Sequence, residues 1–299
     1  MNGYLSALFD PAMPFVRNAL MAGLLSAVLF GTLGAVVTVK RIAGLAGAIS
    51  HAVLGGIGMA LYLSAKGIAP GLPPMVGALA FAVIAAGIIG FVSLRAKQRE
   101  DTVINALWAI GMSVGVLFIA KTPGYADPMS YLFGNILLVT ARDLVMLAAL
   151  DVVVVFLAWR YYPQIEASAF DEEFARVRGV PTDAVFIATL AVTAVAVVLL
   201  QTFVGIVMVI AMLTLPSGTA GFAARNLAAM MVGGTILSAA FTVGGLAASW
   251  ALDLPAGAVV VVIAGAAFLG VSAAAAIAAR RAGARRTGRR VGTRTGRQS

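Results

Sequence analysis

Between Arg17 and Lys40 stand 22 residues without a charge, and between Lys66 and Arg95 stand 28. Similar runs recur as far as Arg280. The hydrocarbon core of a bilayer, about 30 Å thick, takes about 20 apolar residues to cross as a helix. Inside it every backbone amide has to be bonded within its own segment. Runs of this length and number restrict the chain to an all-α, polytopic membrane helical bundle. With 61% hydrophobic and 11% charged residues, the composition lies far from the soluble norm of about a quarter charged. Function is to be sought where polarity interrupts the apolar runs.

Reading those runs as spans predicts segments 18–39, 46–65, 75–94, 102–121, 144–161, 184–201, 203–216, 227–250 and 256–279, about nine crossings in one transmembrane domain over 18–279. The charge-free run from Ala184 to Ala224 is 41 residues long, too long for one crossing. Gln201 to Gly205, with Pro216 downstream, divides it, and predicts two segments joined by a tight outer turn.

Lys40/Arg41, Arg95/Lys97/Arg99, Arg160 with Arg176 and Arg178, and Arg225 all fall on one side of this plan. By the positive-inside rule that side is the cytoplasm. Residues 1–17 then form an external N-terminal segment, and the C-terminus lies inside. Of the formal charge of +9, residues 280–299 carry eight arginines and no acid, leaving +1 on the body. That stretch is expected to be a disordered, Arg-rich cytoplasmic tail held at the inner leaflet rather than a nucleic-acid binder. The absence of cysteine excludes disulfides and thiolate sites. No basic n-region with a cleavage site opens the chain, so no removable signal is expected.

The most polar internal stretch runs from Ser168 to Pro181 and predicts a short cytoplasmic helix over about 168–179. Ser168 is expected to cap it with Asp171 three positions on. Asp171, Glu172 and Glu173 suit the positive end of its dipole, Arg176 and Arg178 the negative end. Gly179 and then Pro181 stop it. Phe170 and Phe174 lie four apart on one face. Docking into a partner and lying flat on the membrane surface both fit such a helix.

Several ordered blocks carry a resemblance. They include Lys40-Arg-Ile-Ala-Gly44, Ala48-Ile-Ser-His-Ala-Val-Leu-Gly-Gly56, Glu100-Asp-Thr102, Ala106-Leu-Trp-Ala-Ile-Gly-Met112 and Met129-Ser-Tyr-Leu-Phe-Gly-Asn-Ile-Leu137. Phe170-Asp-Glu-Glu-Phe-Ala-Arg-Val-Arg-Gly179, Leu215-Pro-Ser-Gly-Thr-Ala220 and Asp253-Leu-Pro-Ala-Gly257 continue the series. Together they resemble the membrane permeases of ATP-binding-cassette importers for zinc, manganese and iron. The resemblance implies a vitamin-importer-like permease in the bacterial cytoplasmic membrane. It implies a second permease copy, separate ATP-binding-cassette subunits that bind the ATP, and an extracytoplasmic metal-binding protein that supplies the divalent ion. It also implies that Phe170, Asp171, Glu172, Glu173, Phe174, Arg176, Arg178 and Gly179 form the helix that couples to the ATPase. A permease for an iron chelate or cobalamin-type cargo, and a gradient-driven carrier, are the alternatives.

The residues themselves exclude catalysis of nucleotide hydrolysis here. The nearest approach to a phosphate-cradling loop, Gly115 to Thr122, has Ala120 in place of the second glycine and no loop to hold it. An intramembrane enzyme would need two or more convergent groups, and the chain has one histidine. No bound cofactor is expected.

That histidine, His51, falls in the second span, where a neutral imidazole can ligate a borderline divalent metal or bond a neighbouring helix. The resemblance implies an aspartate one turn earlier in many relatives, where this chain has Gly47. Asp151 falls midway along the fifth span, at a cost of roughly 3 kcal/mol on the insertion scale. His51 and Asp151 are expected to line a metal pathway as transient ligands, with no high-affinity site, because cargo has to leave. Gly111 and Gly115 are expected to pack helices closely. Asp127, Asp253 and Asn135 are expected to serve turns and helix ends.

Overall fold

The computed structural model describes residues 2–95, 100–123, 136 and 139–295. Its helices are α1 (Asn2–Phe9), α2 (Pro14–Val39), α3 (Ala43–Ala65), α4 (Pro74–Arg95), α5 (Glu100–Lys121) and α6 (Ala141–Arg160). They continue with α7 (Tyr162–Phe170), α8 (Glu172–Val177), α9 (Thr182–Val204), α10 (Ile206–Gly221), α11 (Leu227–Leu252) and α12 (Ala256–Thr295). Asp127, Asn135, Lys97 and Arg99 lie outside the described residues, as does the Met129–Leu137 block apart from Ile136.

Seven of these helices are long and apolar enough to cross a membrane: α2, α3, α4, α5, α9, α11 and α12. Two further helices complete a set of about nine. α10 is apolar but only 16 residues long. α6 is 20 residues long and is interrupted by Arg142, Asp143, Asp151 and Arg160.

Local chemistry sets the ends. Thr140 and Asp143 form a reciprocal capping box at the start of α6, with the Thr140 N–H donating to Asp143 Oδ2 at 2.9 Å. Pro14 opens α2, where its missing N–H costs nothing. Asp253 closes α11 in the left-handed region at φ 53.

Two groups of helices make up the bundle. α3 packs against α4 and α5, and α2 packs against α11 and α10, which α12 also covers. α9 lies against α4 and α3, and α6 against α2. Glycine permits the closest approaches. A Cβ on Gly111 of α5 would meet the Ala52 main chain of α3 at 2.5 Å, and one on Gly115 would meet Leu54 O at 2.6 Å. Gly56 of α3 and Gly77 of α4 face each other backbone to backbone. With no hydrophobic drive between helices in lipid, such backbone contact is what holds them.

Two details differ from the sequence reading. The division of the long apolar run is a single residue, Gly205, at φ 83 and ψ 159, a region only glycine occupies freely. Its N–H donates to Gln201 O and its carbonyl accepts from Val209, so one helix ends and the next begins without a loop. Gln201, Val204, Gly205 and Ile206 are buried, so the break sits inside the bundle rather than in an exposed outer turn.

The polar stretch, second, is two helices rather than one. Ser168 belongs to α7, where its hydroxyl donates back to Ile165 O at 3.1 Å. It is therefore not the cap. Asp171 is the cap of α8, with extended backbone at φ −148 and a carboxylate accepting from the Phe174 N–H at 2.9 Å. Beyond the last span, α12 continues as helical backbone to Thr295. Alanine and arginine are both strong helix formers.

Candidate functional site

The α8 segment presents a compact charged and aromatic surface. Phe170, Phe174 and Val177 are 63%, 54% and 83% exposed, a degree of apolar exposure that leaves them free to meet another surface. Glu172 and Glu173 occupy the first turn and Arg176 the last, each at the favourable end of the dipole. Arg176 also fixes the segment to α9. Its Nη2 donates to Glu172 Oε1 at 3.1 Å and to Asp183 Oδ1 at 2.7 Å, and its Nε to Thr182 Oγ1 at 3.2 Å. Arg178 lies over the Phe174 ring, 5.0 Å from its centroid. Gly179, at φ 84, ends the segment.

Beside α8, a cleft of about 550 Å³ is lined by Lys40, Arg41, Phe170, Glu172 and Phe186. Burial there holds the Lys40 ammonium below the usual lysine range, while Glu172 acts in the opposite direction.

Within the bundle, His51 is buried on α3, and its Nδ1 has no hydrogen-bond partner among the described residues. Its ring stacks on Trp108 of α5, with centroids 4.2 Å apart and planes 21° apart. The same indole covers Gly47, one turn before His51. A Cβ at Gly47 would stand 3.0 Å from Trp108 Cζ3. Indole therefore fills the space where a side chain at position 47 would lie beside the imidazole. Trp108 is a residue that sequence spacing does not single out, because the contact joins two helices through their tertiary packing.

Asp151 falls on the buried stripe of α6 formed by Leu144, Leu147, Asp151 and Val154. It is only 7% exposed, and neither carboxylate oxygen has a partner among the described residues. The opposite face of α6, with Val145, Val152, Phe156 and Trp159, is open. The carboxylate is thus directed into the protein rather than toward lipid.

His51 and Asp151 lie on helices whose main packing partners differ. α3 packs on α4 and α5, whereas α6 packs on α2. Among the described residues, no group of three or more His, Asp or Glu side chains converges to hold a metal. Chemically, the arrangement offers isolated nitrogen and oxygen donors inside an apolar body, and a charged surface at one end.

The model of the ABC 3 transport family matches residues 12–275. The chain belongs to that family. An uncharacterized membrane protein of Synechocystis is 35% identical over 256 residues, which cover 85% of this chain and 89% of the relative. The manganese transport system membrane protein MntC of Listeria monocytogenes is 30% identical over 251 residues, covering 84% and 87%. Among solved structures, PsaBC from Streptococcus pneumoniae in complex with Fab is 26% identical, with a TM-score of 0.78 over 90% of this chain and 94% of that one. The ABC 3 assignment thus covers both helix groups and the α7–α8 segment, and the all-α permease architecture matches that of a solved relative.

Proposed function

We propose that the chain is the membrane-spanning permease subunit of an ATP-driven importer that carries divalent metal ions into the cell, with manganese as the first ion to test. The observation that carries this reading is membership of the ABC 3 transport family over 12–275, together with a relative named for manganese transport. Two copies of the chain work with a pair of cytoplasmic ATPase subunits, and an extracytoplasmic binding protein delivers the ion. The N-terminus is outside and the arginine-rich C-terminus inside. Phe170, Asp171, Glu172, Glu173, Phe174, Arg176, Arg178 and Gly179 meet the ATPase. Exposed aromatics flanked by fixed charge support that role.

His51 and Asp151 act as separate, transient donors along the ion's path. Both carry buried donor atoms without a partner among the described residues, an arrangement that costs free energy unless something else is bonded there. Single donors hold a cation weakly, as release requires.

Purified chain reconstituted with its ATPase and binding protein should take up radiolabelled manganese into vesicles only when ATP is hydrolysed. Zinc and iron, offered as competitors, rank the cargo. His51→Ala and Asp151→Ala should each lower uptake. Wild-type uptake in both variants ends the pathway assignment, and uptake driven by an ion gradient without nucleotide ends the ATP-driven one.

A further inference from the structure

The first free amides of a helix normally need partners from its own chain end or from water. At α11 they are taken by another helix. The Leu227 N–H donates to Glu166 Oε1 at 3.4 Å and the Ala228 N–H to Tyr162 Oη at 3.1 Å, while the Ala229 N–H donates to the side chain of Asn226 at 2.8 Å. Tyr162 in turn donates its hydroxyl to Glu166 Oε1 at 2.6 Å. A carboxylate and a phenol from α7 thus cap α11 more than sixty residues away, with the negative charge at the positive end of the α11 dipole.

The join is also apolar. Tyr162 and Ile165 of α7 pack on a cluster of Ala35, Val36, Leu227 and Met230, which belong to α2 and α11. Beyond it, Gly31 of α2 lies against the Thr235 backbone of α11, so those two helices meet backbone to backbone. At its other end α7 runs through Asp171 directly into α8. A displacement of α8 therefore has a continuous, hydrogen-bonded route to the α2–α11 pair.

We propose that Tyr162 and Glu166 are the coupling clamp of this permease: positioning residues that pass motion of α8 to the N-terminus of α11 and, through it, to α2. The proposal rests on the reading of α8 as the ATPase-facing segment. Cutting the clamp leaves the docking surface intact and separates nucleotide hydrolysis from transport. A purely structural role would instead lower assembly, hydrolysis and uptake together.

The test uses the complete complex of permease, ATPase and binding protein in vesicles, and reads manganese transported per ATP hydrolysed. Tyr162→Phe/Glu166→Ala is expected to keep hydrolysis within about twofold of wild type while this ratio falls about tenfold. Glu166→Gln, which retains an oxygen acceptor for the Leu227 amide and the Tyr162 hydroxyl, should keep at least half of the wild-type ratio. Amide hydrogen exchange at Leu227–Ala229 should change on trapping with ATP and vanadate in the wild type, and not in the double variant. Should the double variant fail to assemble, Tyr162→Phe alone carries the same test.

An unchanged ratio in assembled variants overturns the clamp and leaves the importer function standing. So does a fall in hydrolysis that matches the fall in uptake. Wild-type complex that moves no divalent ion with ATP overturns the function first, and this inference with it.

Discussion

Replacing Asp151 by valine, the apolar residue nearest in volume among its α6 neighbours, sets stability against transport. The carboxylate is 7% exposed, and both of its oxygens are buried without a partner among the described residues. Mutational data put an unpartnered buried polar group at about 1–3 kcal/mol, and the added methyl groups contribute further apolar burial at about 0.8 kcal/mol per carbon. Imperfect fit in a packed site takes back about 1 kcal/mol. The net expectation is a gain of about 2 kcal/mol, roughly a factor of 30 in the folded ratio. Reversible unfolding in mixed detergent and denaturing micelles measures it, and vesicle uptake of manganese is read in parallel. Asp151→Val is expected to be more stable and to transport poorly. A less stable protein would mean that the carboxyl holds a structural bond, and a more stable one with normal uptake would mean that the ion does not use it. Either result refutes the reasoning.

Gly111→Leu pushes a side chain into the Ala52 main chain, so loss of about 3 kcal/mol or failure to fold is expected in the same unfolding assay. Gly87→Ala meets nothing within 4 Å and should be neutral or gain up to about 1 kcal/mol of helix propensity. Asp171→Ala removes the cap of α8 at about 1 kcal/mol; ATPase co-purification should weaken, and Asp171→Asn should restore it. Arg176→Ala breaks ion pairs whose partners are more than half exposed, so the stability change should stay under about 1 kcal/mol.

Much of the fold follows from one-dimensional facts. Long charge-free runs announce α2, α4 and α9, because an uninterrupted apolar run of about 20 residues satisfies its backbone in lipid as a helix. α6 is harder, since four charged residues interrupt it, and the run of apolar residues at 144 starts later than the helix, which opens at its Thr140–Asp143 box. Composition cannot show that Gly205 lies inside the bundle, because burial of a chain break depends on which helices surround it. Ser168 looks like a cap by spacing alone. Its hydroxyl turns back to Ile165 because α7 is already helical there, a choice made by Tyr162 and Ile165 packing on α2 and α11.

Legibility of the site is uneven for the same reason. His51 and Asp151 stand out as rare polar residues in apolar runs. Their separation onto different helix pairs, and the indole over Gly47, are properties of packing between distant segments. Tyr162 and Glu166 escape notice altogether, since a cap supplied from sixty residues away leaves no local pattern at α11.

The glycine contacts of α3 with α4 and α5 also decide where a reporter of the working cycle belongs. Spin labels or dyes placed on two of those three helices sit on backbones with no room to slide, and their separation should stay constant throughout. A pair with one member on α4 and the other on α11 bridges the two groups, and its distance is the one expected to lengthen and shorten with each turnover.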